Sequence, residues 1–524
     1  MRELILIILT VCCAEISAAP YMVDQGVDCD GYPRVKVETI DGLCLGLVAQ
    51  YSEATRFKKP RAIVQVPGTE MFLVTDMGGW DPHQGSVWLL YRDRLSGRYA
   101  ARSLLQQLNL PHQIISGPDN AFYIGEAHRI IRFRLDGNEA TAPEVVIPDL
   151  PFHDKHLHPL THFIFDMVGN LIVNSGASTD RCAGEIKQRI CSEASRAGLR
   201  LYRYDQTTHA WDPEYEMLAT GLRNSMALAQ HASGTLLQAE NSMDLTDPNE
   251  PYEEINIIEA GAFYGWPYCY NMQAHNEEWE PGCDVDNYRA PWSLAPPHTA
   301  PLGMLYYPDS GLPPLQGRLI VSWHGHRDTG SRLVAYEVDA SGRPLLEEYG
   351  YYWRDPAAGD VKATLNSAAP AGGHSKISQP VILTPRWHAV TGLRPEGAPV
   401  GMTVAGDLSL WIVDDKNRAI LRLSAGIPFR DPVTPPATIT AVAEVPEAIT
   451  ELLQRRCAAC HLELNRDKEQ LLNREVWLRS FEQVKVMEQR LFVDKNRPMP
   501  PDGPLSSEEL AILKAWLNGM DSPE

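Results

Sequence analysis

The stretch Gly406–Leu423, GDLSLWIVDDKNRAILRL, shows the pattern that indicates the fold: a glycine turn, an apolar strand, a polar tip and a second apolar strand. The same pattern recurs in Thr69–Tyr91, Asn120–Phe133, Gly169–Tyr204, Gly234–Ile258 and Gly317–Tyr336. A single hairpin cannot bury both of its faces, whereas repeated hairpins of this size stack radially. We therefore predict a mainly β fold with a six-bladed β-propeller. A β-sandwich or two small β-domains would also contain glycine-bounded strands, and they are the alternative.

The composition changes directly after this last repeat. Residues 424–446 are rich in proline and mix polar with apolar residues, which favours extended chain. Residues 448–456 and 506–518 show helical spacing, and Ser506–Glu509 (SSEE) opens the second segment like an N-terminal cap with an acidic first turn. The predicted organisation is a propeller at residues 20–423, a linker at 424–446 and a small all-α domain at 447–524.

The overall charge is strongly acidic. The chain has 524 residues, with 47 Lys and Arg against 67 Asp and Glu, and a formal net charge of −20. A surface of this sign repels polyanions, which argues against a nucleic-acid-binding protein.

The N-terminal segment has the layout of a secretory signal peptide. Leu4–Cys13 is apolar, Arg2 precedes it and the small residues Ser17–Ala19 follow it. The apolar run is about half of the roughly 20 residues that a membrane-spanning helix needs, so no transmembrane span is predicted. We predict a signal peptide at residues 1–19 and a periplasmic or secreted protein. A lipid anchor at Cys12 or Cys13 is the alternative.

Six further cysteines fall into pairs that are close in sequence. The pairs are Cys29 with Cys44, Cys182 with Cys191, and Cys269 with Cys283. A signal peptide directs a chain to an oxidising compartment, where such pairs form disulfides. We predict three local disulfides, with buried free thiols as the alternative.

The last two cysteines lie in the motif Cys457–His461 (CAACH) of the all-α domain. The C-x-x-C-H pattern attaches haem c through two thioether bonds and coordinates the iron through the histidine. A zinc site would need a second ligand pair and a thioredoxin-like site a βαβ context, and the sequence shows neither. We predict haem c bound to Cys457 and Cys460, with His461 as an iron ligand.

Three methionines downstream of this motif could supply the second axial ligand: Met487, Met499 and Met520. We predict Met499, because the prolines around it (PMPP) hold an extended loop that can lay a thioether against the haem. Met520 is the alternative. The Met-Pro-Pro loop, the acidic-start helix and Trp516 of the terminal helix follow in an order that resembles the small class I cytochromes c. That resemblance covers residues 447–524 and implies electron transfer.

Two polar residues of the propeller lie just before predicted blade strands, where propellers place residues that face the central channel. They are His158, in HPLTHFIFD, and Arg223, in GLRN. An imidazole with a pKa near 6.5 can take a proton from a hydroxyl group. Taken singly each is weak evidence, because a histidine among 16 is more often structural and a buried arginine is often an ion-pair residue.

Seven short motifs follow one another along the propeller. They are Pro111–His112, His158–Asp166, Gly221–Asn224, Gly234–Asn241, Glu253–Asn256, Phe263–Cys269 and His298–Gly303. In this order they resemble the soluble pyrroloquinoline-quinone (PQQ) sugar dehydrogenases, in the sorbosone- and pyranose-dehydrogenase-like branch. FYGWPYC is the most specific of them. The resemblance implies a propeller enzyme that oxidises a sugar or related alcohol with PQQ.

The same resemblance implies roles for two residues at the reacting centre. His158 matches the general base that deprotonates the substrate hydroxyl as hydride moves to the quinone. Arg223 matches the arginine that stabilises charge developing on the quinone oxygens.

It also implies a Ca²⁺ site in the segment after Glu240. Two consecutive backbone carbonyls, here those of Ser242 and Met243, match the family's ligands for the ion that polarises PQQ. Asp244 and Asp247 could assist, unless they are solvated turn carboxylates.

One departure from the family concerns the anionic PQQ carboxylates, which basic residues of the last two blades hold. Where the family has Gly-Arg-Pro-Val-Gly, this chain has Gly397–Gly401 (GAPVG), so an arginine is missing at Ala398. The predicted PQQ contacts are His112, Arg327 and Arg332, besides Arg223. Arg394, Arg386 and Lys362 are the other candidates to replace the missing arginine.

Together these features predict a periplasmic quinohaemoprotein dehydrogenase. It would oxidise a sugar or alcohol with PQQ and Ca²⁺ and pass electrons through haem c to an external acceptor. The alternative is a carbohydrate- or protein-binding propeller without PQQ, attached to an electron-relay cytochrome, and Ala398 is what such a decayed site would show. A Ca²⁺-binding propeller lactonase would leave the haem motif unexplained.

Overall fold

The computed structural model describes residues 21–52, 54–151, 157–182, 197–245, 250–279, 283–325, 329–348, 352–353, 363–364, 376–385, 387, 397–430, 447–456 and 505–517. Within them the fold is mainly β, with six sheets of four to six strands arranged as the blades of a propeller and two helices near the C-terminus. The six-bladed prediction is therefore confirmed.

The N-terminal strands belong to the last blade. They are β1 (Val23–Cys29), β2 (Tyr32–Val35) and β3 (Leu43–Gln50). β3 pairs antiparallel with the final propeller strand, with Leu43 opposite Ala425 and Gln50 opposite Ala419. The two ends of the propeller chain thus meet in one sheet and close the ring.

The first three blades follow in chain order. Blade one contains β4 (Pro60–Gln65), β5 (Phe72–Asp76), β6 (Gly85–Arg92) and β7 (Tyr99–Leu108). Blade two contains β8 (Ile114–Ser116), β9 (Phe122–Glu126), β10 (Arg129–Phe133) and β13 (Glu144–Ile147), with a ribbon of β11 (Leu135–Asp136) and β12 (Glu139–Ala140). Blade three contains β14 (Phe163–Phe165), β15 (Leu171–Ser175), β16 (Gly198–Asp205) and β17 (Ala210–Thr220).

Blades four to six complete the ring. Blade four contains β18 (Ser225–Gln230), β19 (Leu236–Glu240), β20 (Glu253–Ile257) and β24 (Ser293–Ala295). Between β20 and β24 lie β21 (Ala262–Phe263), which pairs parallel with β17, and the ribbon of β22 (Cys269–Tyr270) and β23 (Ala274–His275).

Blade five contains β25 (Pro301–Tyr306), β26 (Leu319–Trp323), β27 (Arg332–Tyr336) and β32 (Val381–Ile382). Two ribbons precede β32: β28 (Glu347–Glu348) with β31 (Lys376–Ile377), and β29 (Tyr352–Trp353) with β30 (Ala363–Thr364). Blade six contains β33 (Pro399–Val404), β34 (Leu410–Asp414), β35 (Ala419–Ala425) and the returning β3.

Each hairpin recognised in the sequence is the second and third strand of a blade. Gly406–Leu423, for example, contains β34 and most of β35, whose residues are almost all buried. The first strands carry weaker local signals, because β8 and β14 have only three residues each. The hairpin count therefore equals the blade count, although the inner and outer strands of each blade were not recognised.

An apolar plug fills the propeller axis. Its members are Met77, Leu110, Ala127, Leu160, Met226, Leu302 and Val400, and each is at most 9% exposed. Because all six blades contribute to this single cluster, it can lie only at the centre of the ring. A functional site must therefore lie on one of the two faces of the propeller, above or below the plug.

Two of the three predicted disulfides are formed between described residues. They join Cys29 to Cys44 and Cys269 to Cys283. Cys182 is also disulfide-bonded, and its predicted partner Cys191 lies outside the described residues.

The two helices are α1 (Glu447–Arg456) and α2 (Ser507–Leu517). The predicted cap is present at α2: Ser506 Oγ accepts from the Glu509 backbone N–H at 3.1 Å, and Glu509 accepts from the Ser506 N–H at 2.8 Å. The haem residues Cys457, Cys460, His461 and Met499, the alternatives Met487 and Met520, and the signal peptide lie outside the described residues. Neither described helix is long and apolar enough to cross a membrane.

Candidate active site

Strand-end caps organise one face of the propeller, which we call the entry face because the first strand of each blade begins there. The second strand ends at the same face, and in four blades its last residue is a buried carboxylate. This carboxylate accepts an N–H from the segment before the first strand. The pairs are Asp76 with Lys59 N (2.7 Å), Glu126 with Asn109 N (2.6 Å), Glu240 with Asn224 N (2.8 Å) and Asp414 with Ala398 N (3.2 Å). Two of these bonds hold the segments that carry His112 and Arg223.

His158 lies on the entry face at the approach to blade three and is half-buried. Its Nδ1 lies 2.6 Å from the carbonyl oxygen of Ala177. A carbonyl only accepts hydrogen bonds, so the ring proton is on Nδ1 and the lone pair is on Nε2. Gly176 allows this packing, since a Cβ there would lie 2.7 Å from the His158 Cβ. The local structure therefore selects the tautomer that accepts a proton at Nε2.

His162, in the same segment, has a different environment. It is 5% exposed, its burial lowers its pKa to about 3, and its Nδ1 has no hydrogen-bond partner among the described residues. Its ring lies 5.7 Å from the ring of His112. Of the two histidines, His158 is the more accessible to a ligand.

Arg223 lies immediately before blade four and is almost fully buried. Its Nη2 donates to Asp180 Oδ1 at 2.7 Å, its Nε to the Asp180 carbonyl at 3.2 Å, and its Nη1 to the Asn241 carbonyl at 2.7 Å. Its own carbonyl accepts from the Ala177 N–H at 2.7 Å. Ala177 thus bonds to the His158 ring through its carbonyl and to the Arg223 backbone carbonyl through its N–H, so the segments that carry the two residues are neighbours on the entry face.

The segment of the predicted Ca²⁺ loop follows β19 and lies against Arg223. The Ser242 N–H donates to Glu253 Oε2 at 2.6 Å, and burial raises the pKa of Glu253 to about 8. No described residue donates a hydrogen bond to the carbonyl oxygen of Ser242 or of Met243. The Asp244 carboxylate is 76% exposed and lies 4.0 Å from Nδ1 of His298. Two adjacent carbonyls without protein donors could supply two of the roughly six to eight oxygen ligands that Ca²⁺ takes.

A second polar cluster, which the sequence did not reveal as a unit, lies on the entry face between blades five, six, one and two. Arg61 and Asp415 form an ion pair whose side chains are 4% and 1% exposed. Arg61 Nε also donates to His112 Nδ1 at 3.2 Å, and His324 Nε2 donates to Asp415 Oδ1 at 2.9 Å. Burial lowers the pKa of His324 to about 4 and that of His112 well below its ordinary value. His112 is therefore a neutral, buried member of this network.

The remaining predicted contacts have mixed outcomes. Arg332 begins β27 on the entry face, and its Nη1 donates to the Gly330 carbonyl at 2.7 Å. Arg327, Arg386, Arg394 and Lys362, like Asp247, lie outside the described residues. Among the residues that the structure does describe, no group of three His, Cys, Asp or Glu side chains could hold a metal ion. A cation at this face would consequently depend on backbone oxygens.

Residues 120–343 match the model of the Glucose / Sorbosone dehydrogenase family. The matching region runs from blade two to blade five and includes His158, Arg223 and the 241–244 loop. No curated protein was found to match the sequence.

Solved structures with similar folds include two fungal enzymes. The calcium structure of the Trichoderma reesei carbohydrate-active enzyme of family AA12 is 18% identical, with a TM-score of 0.54 over 76% of this chain and 98% of that one. The holo form of the pyranose dehydrogenase PQQ domain from Coprinopsis cinerea is 18% identical, with a TM-score of 0.53 over 76% of this chain and 100% of that one. At this level of identity the comparison establishes a shared propeller fold.

Proposed function

We propose that this protein is a secreted or periplasmic PQQ-dependent sugar dehydrogenase that transfers electrons through a C-terminal haem c. The observation that carries the proposal is the arrangement on the entry face. His158, with its lone pair on Nε2, and the buried Arg223 both bond to Ala177, and the loop with the carbonyls of Ser242 and Met243 bonds to Arg223 through Asn241. The family match over residues 120–343 and the two disulfides support it.

The donor set of this site fits Ca²⁺ and a quinone. Three of the five N–H bonds of Arg223 are used within the protein, which leaves one on Nη1 and one on Nη2 for anionic oxygens. The carbonyls of Ser242 and Met243 offer hard oxygen ligands. PQQ, when bound, supplies a two-electron acceptor for hydride from the alcohol carbon. We assign His112 and Arg332 as further candidates for contact with it.

His158 is the general base of the proposed reaction. Nε2 takes the proton from the sugar hydroxyl while hydride leaves the carbon that bears this hydroxyl. The alcohol thereby loses two electrons and two hydrogens in one step. The Nδ1–H bond to Ala177 keeps the ring oriented and stabilises the imidazolium that forms. Arg223 stabilises negative charge as it develops on the acceptor side.

The electron outlet of the proposed enzyme would be haem c, which Cys457, Cys460, His461 and Met499 would hold and which would supply a one-electron carrier. Support comes from the C-x-x-C-H motif and from the capped helix α2, which follows the Met-Pro-Pro segment as in class I cytochromes c. An external acceptor, a cytochrome or a respiratory component, would receive the electrons.

A second candidate function is a sugar- or protein-binding propeller without PQQ. It is favoured by Ala398 in place of an arginine and by the ion pair that already neutralises Arg223. Absorbance of the purified full-length protein distinguishes the two. If an aldose panel reduces the haem only after PQQ and Ca²⁺ are added, the protein is a dehydrogenase. If the haem stays oxidised with every sugar after reconstitution, the enzyme proposal is wrong.

A further inference from the structure

We infer that Asp180 is a positioning residue that holds Arg223 and the 241–244 loop in the arrangement that binds a divalent cation. This inference rests on the proposed function, because it assigns Ca²⁺ to the carbonyls of Ser242 and Met243. It adds a residue that lies outside the seven short motifs quoted from the sequence.

Asp180 joins three separate segments of the site. Its Oδ1 accepts from Arg223 Nη2 at 2.7 Å and from the Asp244 backbone N–H at 3.1 Å. Its backbone carbonyl accepts from Arg223 Nε at 3.2 Å and from the indole N–H of Trp266 at 3.0 Å. A single residue on the loop after β15 therefore contacts the arginine, the predicted cation loop and the FYGWPYC motif.

For Arg223, the consequence is a fixed guanidinium plane. Nε and Nη2 form one edge of the guanidinium, and Asp180 accepts from both of them. Nη1 is held from the other side by Asn241. The guanidinium cannot rotate without breaking a charge-assisted bond in a site where the arginine side chain is 8% exposed.

For the cation loop, the consequence is preorganisation. Three hydrogen bonds hold the loop. The Asn241 carbonyl accepts from Arg223, the Ser242 N–H donates to Glu253, and the Asp244 N–H donates to Asp180. The carbonyls of Ser242 and Met243 lie between these anchors. Because their backbone is already ordered, a cation would bind without a large loss of loop entropy.

The competing explanation is that Asp180 acts only through its negative charge, which attracts any nearby cation. The variant Asp180→Asn separates the two effects. Its side-chain oxygen still accepts from Arg223 and from the Asp244 N–H, but the charge is gone. Asp180→Ala removes both.

The experiment is a titration of the full-length protein with Ca²⁺, followed by calorimetry, in the absence of PQQ and sugar. We expect Asp180→Ala to weaken Ca²⁺ binding at least about tenfold, as loss of an outer-shell partner typically does. We expect Asp180→Asn to stay within about threefold of wild type. The matched control is Asp136→Ala, which removes an exposed carboxylate from the β11–β12 ribbon and should change nothing.

Equal losses for Asp180→Asn and Asp180→Ala would overturn the positioning role, and so would unchanged affinity in both. Wild-type protein that binds no Ca²⁺ would overturn it as well. Asp180→Ser replaces Asp180→Ala if the latter does not fold by circular dichroism. Wild type that shows the expected Ca²⁺ pattern but oxidises no sugar would refute the dehydrogenase proposal and leave this inference standing.

Discussion

At the residue scale, two histidines of one short segment have different chemistry because their neighbours differ. His158 is half-buried, and its Nδ1–H donates a hydrogen bond to the Ala177 carbonyl. His162 is buried, and its ring lies next to that of His112. Both lie in HPLTH, and the local sequence gives no reason to prefer one. His158 packs against Gly176 and is the more exposed of the two histidines.

The variant His158→Ala tests the proposed role of His158 as the general base. Loss of a general base typically lowers a rate by about 10²–10⁴-fold, so sugar-driven haem reduction should fall by that factor. PQQ binding, followed by quenching of protein fluorescence, should change little. His162→Gln is the control and should retain activity; the reverse pattern would assign the base to His162.

The buried histidines also predict how stability depends on pH. Burial lowers the pKa of His162 to about 3 and that of His324 to about 4, below the ordinary value of 6.5. A group whose pKa is lowered by folding stabilises the protein above its unfolded pKa, and this stabilisation is lost as the pH falls. We expect the melting temperature to decrease between pH 6.5 and 4. At pH 5, His162 alone should lower the free energy of unfolding by about 2 kcal/mol relative to its value above pH 6.5.

Thermal unfolding at pH 7.5 and 5.0 checks this expectation. His162→Gln should lose less stability over that interval than wild type does. His209→Gln, at an exposed position near the end of β16, is the matched control and should behave like wild type. A pH dependence that is the same in all three proteins would contradict the explanation.

At the element scale, the strand-end caps explain why loops on the entry face are ordered. Asp76, at the end of β5, accepts three backbone N–H bonds, from Lys58, Lys59 and Gly78, at 2.7, 2.7 and 2.8 Å. Equivalent carboxylates end the second strands of blades two, four and six. Each cap links the start of one strand to the end of its neighbour by hydrogen bonds, so the same geometry recurs in four blades.

Asp76→Ala should lower the free energy of unfolding by about 3 kcal/mol, because buried N–H groups lose their acceptor. Urea denaturation of the propeller measures the loss. Asp93→Ala removes a comparable turn carboxylate that is exposed and bonds Ser96, and it should cost less than about 1 kcal/mol. Similar losses in both variants would show that the caps do not stabilise the blades.

At the scale of the whole molecule, the ring closes through partners that are far apart in the chain. β3 completes blade six, and the buried Tyr21 hydroxyl donates to Asp414. The proposed electron path requires the haem domain to stay beside this closed ring, and the predicted 424–446 linker would keep the effective concentration of that domain in the millimolar range.

The haem assignment is tested on the intact chain. Met499→Ala should change the haem absorbance spectrum and lower the midpoint potential, because a thioether axial ligand raises the potential of haem iron. Met520→Ala is the matched control and should leave both unchanged. If the control produces the change instead, Met520 is the ligand.

Features that depend only on neighbours in the chain could be predicted from the sequence. Six apolar hairpins, closely spaced cysteine pairs and the Ser506–Glu509 cap are local patterns, so they could be predicted and are present in the described residues. The positions of His158 and Arg223 before blade strands could also be predicted, because a strand entry is a local feature.

Contacts between polar groups that are distant in the chain could be identified only from the tertiary structure. Arg61 and Asp415 are 354 residues apart and form one buried ion pair, and Asp180 reaches Arg223 across 43 residues. A propeller brings the entries of all its blades to one face whatever their separation in the chain, so contacts there follow from ring closure rather than from local pattern. For that reason the blades could be counted from the sequence, whereas the Arg61–Asp415 network required the closed ring and the Asp180–Arg223 contact required blade three to pack against blade four.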